Sequence, residues 1–187
     1  MSWSHRPVHS QDAITLRPPS SQDGPTLVAL RRASRSHLEP WEPLPPPGSS
    51  AYDDGWFERF LANAFTERCR RFLLVRTDDD VIVGQVALSE IMRGPLQQAF
   101  VGYWIGSEFT GRGYMTGGVR RVVQIAFTAL GLSRLEANVQ PHNGASLAVL
   151  RKVGFRREGF SPRYLEIAGK RADHERWAIT REEWEAR

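Results

Sequence analysis

The sequence predicts an α/β fold in one domain, a mixed sheet of about six to seven strands flanked by helices. Three observations carry that reading. Four short β-patterned segments lie between Ala13 and Ile105. A glycine-rich turn, Gly111 to Gly113, then opens a helix with an unbroken apolar stripe. A strand, a second helix ending on glycine and two late strands follow, an order that gives a sheet antiparallel early and parallel in the middle. The 187 residues suffice for one sizeable core, and 41% hydrophobic with 25% charged residues is the balance of a soluble globular protein.

Along the chain, residues 1–11 read as a flexible lead-in, 12–180 as the domain and 181–187 as a C-terminal tail. Ala13 to Arg17 is the first strand, with Ile14 and Leu16 on one side and Pro18-Pro19 ending it. Ser21 or Asp23 can cap a helix from Pro25 to Ser36. Pro40, Pro43, Pro45, Pro46 and Pro47 make Glu39 to Ser50 a stiff surface connection within the domain. Trp56, Phe57, Phe60, Leu61 and Ala64 recur at helical spacing, so the periodicity predicts a helix from Asp53 to Cys69. Arg71 to Arg76 and Val81 to Leu88 form a hairpin around the acidic turn Asp78-Asp79-Asp80. Ala99 to Ile105 is the fourth strand.

The helix from Tyr114 to Leu130 carries Val119, Val122, Val123, Ala126, Phe127 and Leu130 on one stripe, and Gly131 can close it in a left-handed conformation. Leu135, Ala137 and Val139 alternate with Glu136 and Asn138 in a fifth strand. A helix from Asn143 to Val153 precedes Gly154, and Phe155 to Phe160 and Asp173 to Ile179 are late antiparallel strands.

Composition narrows the function. No run approaches the roughly 18 apolar residues of a membrane span, and residues 1–11 lack the apolar stretch of a signal peptide. The one cysteine, Cys69, fits a reducing cytoplasm and reads as an inert helix residue. The five histidines are scattered and no Cys/His pair has zinc spacing, so no metal is expected. No G-x-S-x-G elbow is present. The net charge of +4 is carried almost wholly by arginine, Lys152 and Lys170 being the lysines. Such a balance suits a phosphorylated cofactor or a nucleic acid. Arg120-Arg121 and Arg156-Arg157 read as solvated faces rather than a nucleic-acid surface, with no basic block of five or more.

The chemistry concentrates in two segments. In Tyr103-Trp104-Ile105-Gly106-Ser107-Glu108-Phe109-Thr110-Gly111-Arg112-Gly113-Tyr114-Met115-Thr116 a strand runs through a glycine loop into a helix start. Amides at such a start have no partner within the helix, and with the helix dipole they make a site for a phosphate or pyrophosphate. A bare G-x-G fits a tight turn equally well; the third glycine of a dinucleotide fold and the Lys-Ser/Thr of a P-loop are missing. In the second segment Asn143 and Ser146 stand one helical turn apart, placed either to serve one extended ligand or simply to cap the helix.

Together these segments resemble the Gcn5-related N-acetyltransferase (GNAT) superfamily. Thr110-Gly111-Arg112-Gly113-Tyr114-Met115 resembles its Q/R-x-x-G-x-G/A element, with Thr110 in place of Gln or Arg and Met115 in place of a small residue. Asn143-Gly144-Ala145-Ser146 with Gly154-Phe155 resembles its N-x-x-S…G-F element. Leu38-Glu39-Pro40-Trp41-Glu42-Pro43 and Phe155-Arg156-Arg157-Glu158-Gly159 resemble the RimJ/RimL branch, which acetylates N-termini of ribosomal proteins. The resemblance covers Ala13 to Thr180.

The resemblance implies a strongly twisted sheet splayed between its fourth and fifth strands and acetyl-CoA as cosubstrate. The backbone of Tyr103, Trp104 and Ile105 would pair with the pantetheine arm, Gly111 to Thr116 would hold the pyrophosphate, and Asn143 would bond the pantetheine. It implies direct attack by a primary amine, without an acyl-enzyme, with Ser146 donating a proton to the thiolate. The acceptor is expected to be a protein N-terminus; a small amine or antibiotic, or a non-catalytic acetyl-CoA sensor, are the alternatives. Asn138 occupies the position where relatives place a glutamate base and can hold a water. Glu136 shares its face and is the expected base, or else an ion-pair partner of Arg134 or Arg151; Glu90 is a weaker candidate. Trp41 and Glu42 line the acceptor site, or Trp41 plugs the core. The assembly is a monomer or homodimer.

Overall fold

A computed structural model describes residues 13–187; the expected lead-in over 1–11 lies outside the described residues. Strand β1 (Ile14–Arg17) ends at Pro18, and a single 3-10 turn leads into α1 (Gly24–Ala33), with Pro25 in its first turn. Here the expected helix is shorter. Ser34 leaves helical geometry, the chain restarts as the single turn α2 (Arg35–Leu38), and Glu39–Trp41 is a 3-10 turn. The buried Ser34 hydroxyl accepts the Ser107 amide at 3.0 Å, tying the end of α1 to the glycine loop. The proline-rich segment is irregular, as its composition requires.

The second helix, α3 (Asp54–Ala62), starts on the Asp53 carboxylate, which accepts the Trp56 amide at 2.8 Å. It does not reach Cys69. Its apolar repeat fails at Glu67-Arg68, and Phe65–Thr66 instead forms a short strand, β2, folded back onto Cys69 and Arg70 at the start of β3 (Cys69–Arg76). Cys69 is therefore a half-buried strand residue, its thiol pushed up by burial. Strands β4 (Ile82–Met92) and β5 (Gln98–Ile105) complete an antiparallel meander.

Helix α4 (Tyr114–Thr128) crosses one face of the sheet, burying Val119, Val122, Val123, Ala126 and Phe127 on the stripe the sequence predicts. Gly118 lets it approach β3: a Cβ there would stand 2.7 Å from a methyl of Leu74. Helices α1 and α3 cover the opposite face through Leu27, Phe57 and Phe60.

Strand β6 (Arg134–Val139) is parallel to β5; α5 (Gly144–Val153) follows, then β7 (Arg156–Ile167) and β8 (Lys170–Thr180). The sheet runs β1-β3-β4-β5-β6-β8-β7, with β2 attached to β3, so eight strands stand where six to seven are expected. The late strands are longer than their apolar cores and form an extended hairpin whose Ala168 amide donates to the Glu42 carbonyl at 2.9 Å. Residues expected as a tail form α6 (Arg181–Glu185): Thr180 caps it, Trp184 packs on Phe127, and Arg187 donates to the Val153 carbonyl at 2.8 Å.

Candidate active site

The parallel strands β5 and β6 pair only over Gln98–Arg134, Ala99–Leu135 and Phe100–Glu136. Beyond Phe100 they diverge. Tyr103, Trp104 and Ile105 remain bonded to β4 on one side, at Val86, Gln85 and Gly84, and have no strand on the other. The splay expected between the fourth and fifth strands is thus present, and it leaves backbone donors and acceptors for an extended ligand. A cavity of about 330 Å³ opens there.

One end of this cavity is the start of α4, lined by Thr110, Gly111, Gly113, Tyr114, Met115 and Thr116. Gly111 and Gly113 have φ of +75° and +81°, a backbone that a Cβ disfavours. None of the amides of residues 111–116 donates to a backbone carbonyl. This is an anion cradle made by the main chain. Thr110, in place of Gln or Arg, turns its hydroxyl to the Ser107 carbonyl at 2.9 Å. Met115 is accommodated by burial in the core. Arg112 does not line the cavity; its guanidinium lies 6.0 Å from the Phe109 ring.

The other wall is α5. Asn143 accepts the Ser146 amide at 3.1 Å, so the cap reading is correct; it also lines the cavity, leaving its NH₂ donors for a ligand. The Ser146 Oγ lies 2.8 Å from the Tyr103 phenolic oxygen, which is also 3.3 Å from the Ser146 carbonyl. Burial pushes the Tyr103 phenol up to about 12, against the opposing pull of the Ser146 hydrogen bond. The sequence reading gave Tyr103 only a backbone role and missed its side chain. It missed Ala145, Ala148, Val149 and Lys152 too, although their spacing places them on one face of α5.

The third wall is the segment around Trp41 and Glu42, both lining the cavity with His37. Trp41 packs against His142, ring centres 5.2 Å apart, rather than plugging the core. Glu42 is held by Arg31, whose guanidinium donates at 3.0 and 2.6 Å to its two carboxylate oxygens and at 3.0 Å to the Ala51 carbonyl. Arg31 is only 3% exposed and sits among the rings of Trp56, Trp104 and Tyr52 at 4.5, 5.1 and 5.3 Å. One buried arginine thereby joins α1, the proline loop, α3 and β5.

Besides Arg112, three expected residues are not brought to the cavity. Glu136 accepts Arg134 Nε at 2.8 Å, and Arg134 also binds Glu158, which holds the guanidinium strongly protonated. Glu136 is therefore the ion-pair partner of the alternative reading, not a free base. Asn138 lies opposite Arg176 on β8, past the point where β6 leaves β5. Glu90 is exposed at the far end of β4, paired with Arg68. Among the described residues lining the cavity, Glu42 is the one carboxylate. No group of three His, Cys, Asp or Glu among the described residues could hold a metal ion, and no described helix is long and apolar enough to cross a membrane.

Known proteins resemble this chain in sequence and in fold. Residues 13–156 match the family model of the acetyltransferase (GNAT) domain. The chain is 30% identical over 176 residues to the [ribosomal protein uS5]-alanine N-acetyltransferase of Escherichia coli (strain K12), covering 92% of this chain and 90% of that one. It is 44% identical over 108 residues to the protein of Bacillus subtilis (strain 168) named Probable N-acetyltransferase YjcK; that match spans 58% of this chain and 60% of the relative. The solved structure of Mycobacterium smegmatis RimJ in complex with CoA-disulfide superposes with a TM-score of 0.84 at 37% identity, over 91% of this chain and 83% of that one.

Proposed function

The chain belongs to the acetyltransferase (GNAT) family, and from that premise we propose that it transfers an acetyl group from acetyl-CoA to a primary amine, the N-terminal α-amine of a protein. The observation that carries this is the coincidence of the unpaired edge of β5 with the free amides at the start of α4, both in one cavity. The residues fit the cosubstrate. Gly111 to Thr116 hold its pyrophosphate by main-chain amides, Tyr103 to Ile105 pair with its pantetheine as a strand would, and Asn143 donates to it. The RimJ-type relatives support a ribosomal protein as the acceptor.

When bound, the thioester supplies the activated acetyl group; positioning by the chain does much of the rest. An α-amine titrates near pH 8, so a sizeable share is already neutral under mild conditions and a weak base or water suffices. Glu42, fixed by Arg31 on the cavity wall, keeps lone pairs with which to orient the amine. Ser146 gives its proton to the departing sulfur and is resupplied by the Tyr103 phenol behind it, and the proton released by the acylated nitrogen returns through water to refill the phenol.

Thermal melting with and without acetyl-CoA, followed by mass spectrometry of peptides that begin with alanine or serine, tests the reading. A raised melting temperature and a single acetyl on the α-amine are expected. Failure to bind acetyl-CoA overturns the enzyme reading; acetylation of small amines alone overturns the protein acceptor.

A further inference from the structure

A second cavity, of about 370 Å³, adjoins the first, with Glu42 and Trp104 lining both. Prolines 43, 45 and 46 cover it, Trp56 and Phe60 of α3 form a side, and Gln85 of β4 lies on its floor as the cross-strand neighbour of Trp104. Gln85 is 8% exposed, yet its carboxamide makes no hydrogen bond to any described residue. With most of the side chain covered and no partner within the chain, the carboxamide is left to face the chamber it lines, where an incoming group can meet it. A carboxamide both donates and accepts, which matches a peptide group.

The charges of this chamber select further. Arg31, Arg59 and Arg71 line it against a single carboxylate, Glu42, already engaged by Arg31. A second ammonium placed here would be partly stripped of water and face like charge.

We propose that this chamber receives the residues behind the acceptor's α-amine, that Gln85 hydrogen-bonds their backbone, and that the arginines bar acceptors carrying another cation there. The substrate class is a peptide N-terminus with uncharged or acidic second and third residues, not a polyamine or other polycation. The inference rests on the acetyltransferase reading above.

The test compares kcat/KM of the native chain for alanine-starting peptides with glycine, aspartate or lysine at positions two and three, and for spermidine. Neutral and acidic peptides should exceed the lysine peptide by about tenfold or more, with spermidine lower still. Gln85→Leu should raise the KM for the neutral peptide by about tenfold, leave the KM for acetyl-CoA unchanged and leave the melting temperature equal or higher, with Gln85→Asn recovering part of the loss. Turnover indifferent to charge, or a peptide KM unmoved by Gln85→Leu, overturns this inference while the acetyltransferase reading stands. Absence of turnover with every amine overturns both.

Discussion

The Tyr103 phenol and the Ser146 hydroxyl, 43 residues apart in sequence, meet at 2.8 Å across the gap where β5 and β6 separate. Their contact joins strand to helix at the point where the leaving sulfur would lie. A serine alone is a weak acid; one backed by a phenol can hand on a proton and be refilled. Because burial raises Tyr103 to about 12, the protonated form persists far above neutrality. Tyr103→Phe and Ser146→Ala should each lower kcat, by about 100-fold if protonation of the thiolate limits the rate. The double variant should be little worse than the poorer single one, as for residues acting as a unit. Initial rates at saturating substrates measure this, and kcat of the native chain should show no alkaline loss due to the phenol below about pH 10. Additive losses would dissolve the relay.

The cradle at α4 rests on Gly113 in a left-handed conformation. Gly113→Ala should cost about 1–2 kcal/mol of strain and, by turning the amides, weaken CoA binding about tenfold in calorimetry. Gly131→Ala is the control. It has φ +65° and nothing within 4 Å of an added Cβ, and it lies at the other end of α4. It should lower the melting temperature and leave CoA affinity alone. If both variants bind CoA equally, the Gly113 amides do not make the site.

Much of this was legible in the chain. The α4 stripe, the glycine loop before it and the alternation in β6 each follow from local periodicity, and local periodicity survives folding. The failures lie where a long-range partner decides. Glu136 is on the face expected of it, but Arg134, two residues away, reaches it first and links it to Glu158 on β7. The phenol of Tyr103 could not be assigned because its partner lies across a splayed gap that no spacing rule describes. Phe65 and Thr66 have the period of α3 only up to the charged pair that follows, and their pairing with β3 then wins. Gln85 reads as an ordinary polar residue in a strand until the chamber above it is seen.

Arg31 offers a sharper test of the acceptor wall. Its guanidinium is buried, doubly bonded to Glu42 and stacked among three rings. Arg31→Met leaves Glu42 without its cation and should cost about 3–5 kcal/mol, seen as a fall of about 10 °C in melting temperature for a chain of this size. Arg31→Lys should recover little, because an ammonium cannot form the two parallel bonds or stack between Trp56 and Trp104. In whatever fraction remains folded, the KM for the amine should rise more than that for acetyl-CoA. Full rescue by lysine would mean that only charge matters at this position.

Asp23 gives the pH dependence its sign. It is 7% exposed and accepts from Arg17 at 2.8 and 2.6 Å and from the Ser20 amide at 2.7 Å. The Arg17 hydrogen bonds, foremost, hold its pKa below the ordinary carboxylate value, and the Ser20 bonds add to this against the cost of burial. A depressed folded pKa means that the unfolded chain takes up the proton first. The contribution of Asp23 is therefore complete above the unfolded pKa, near 4, and drains away as pH falls through the lower folded value. Arg17 is partly open to solvent, so screening keeps the contribution modest, about 0.5–1 kcal/mol. Urea unfolding of the native chain and Asp23→Asn should differ by that amount at pH 7 and equally at pH 5. The two curves should converge below about pH 4. A gap that persists unchanged into acid would show that asparagine is worse for its shape, and that the carboxylate charge contributes nothing to pinning β1 onto α1.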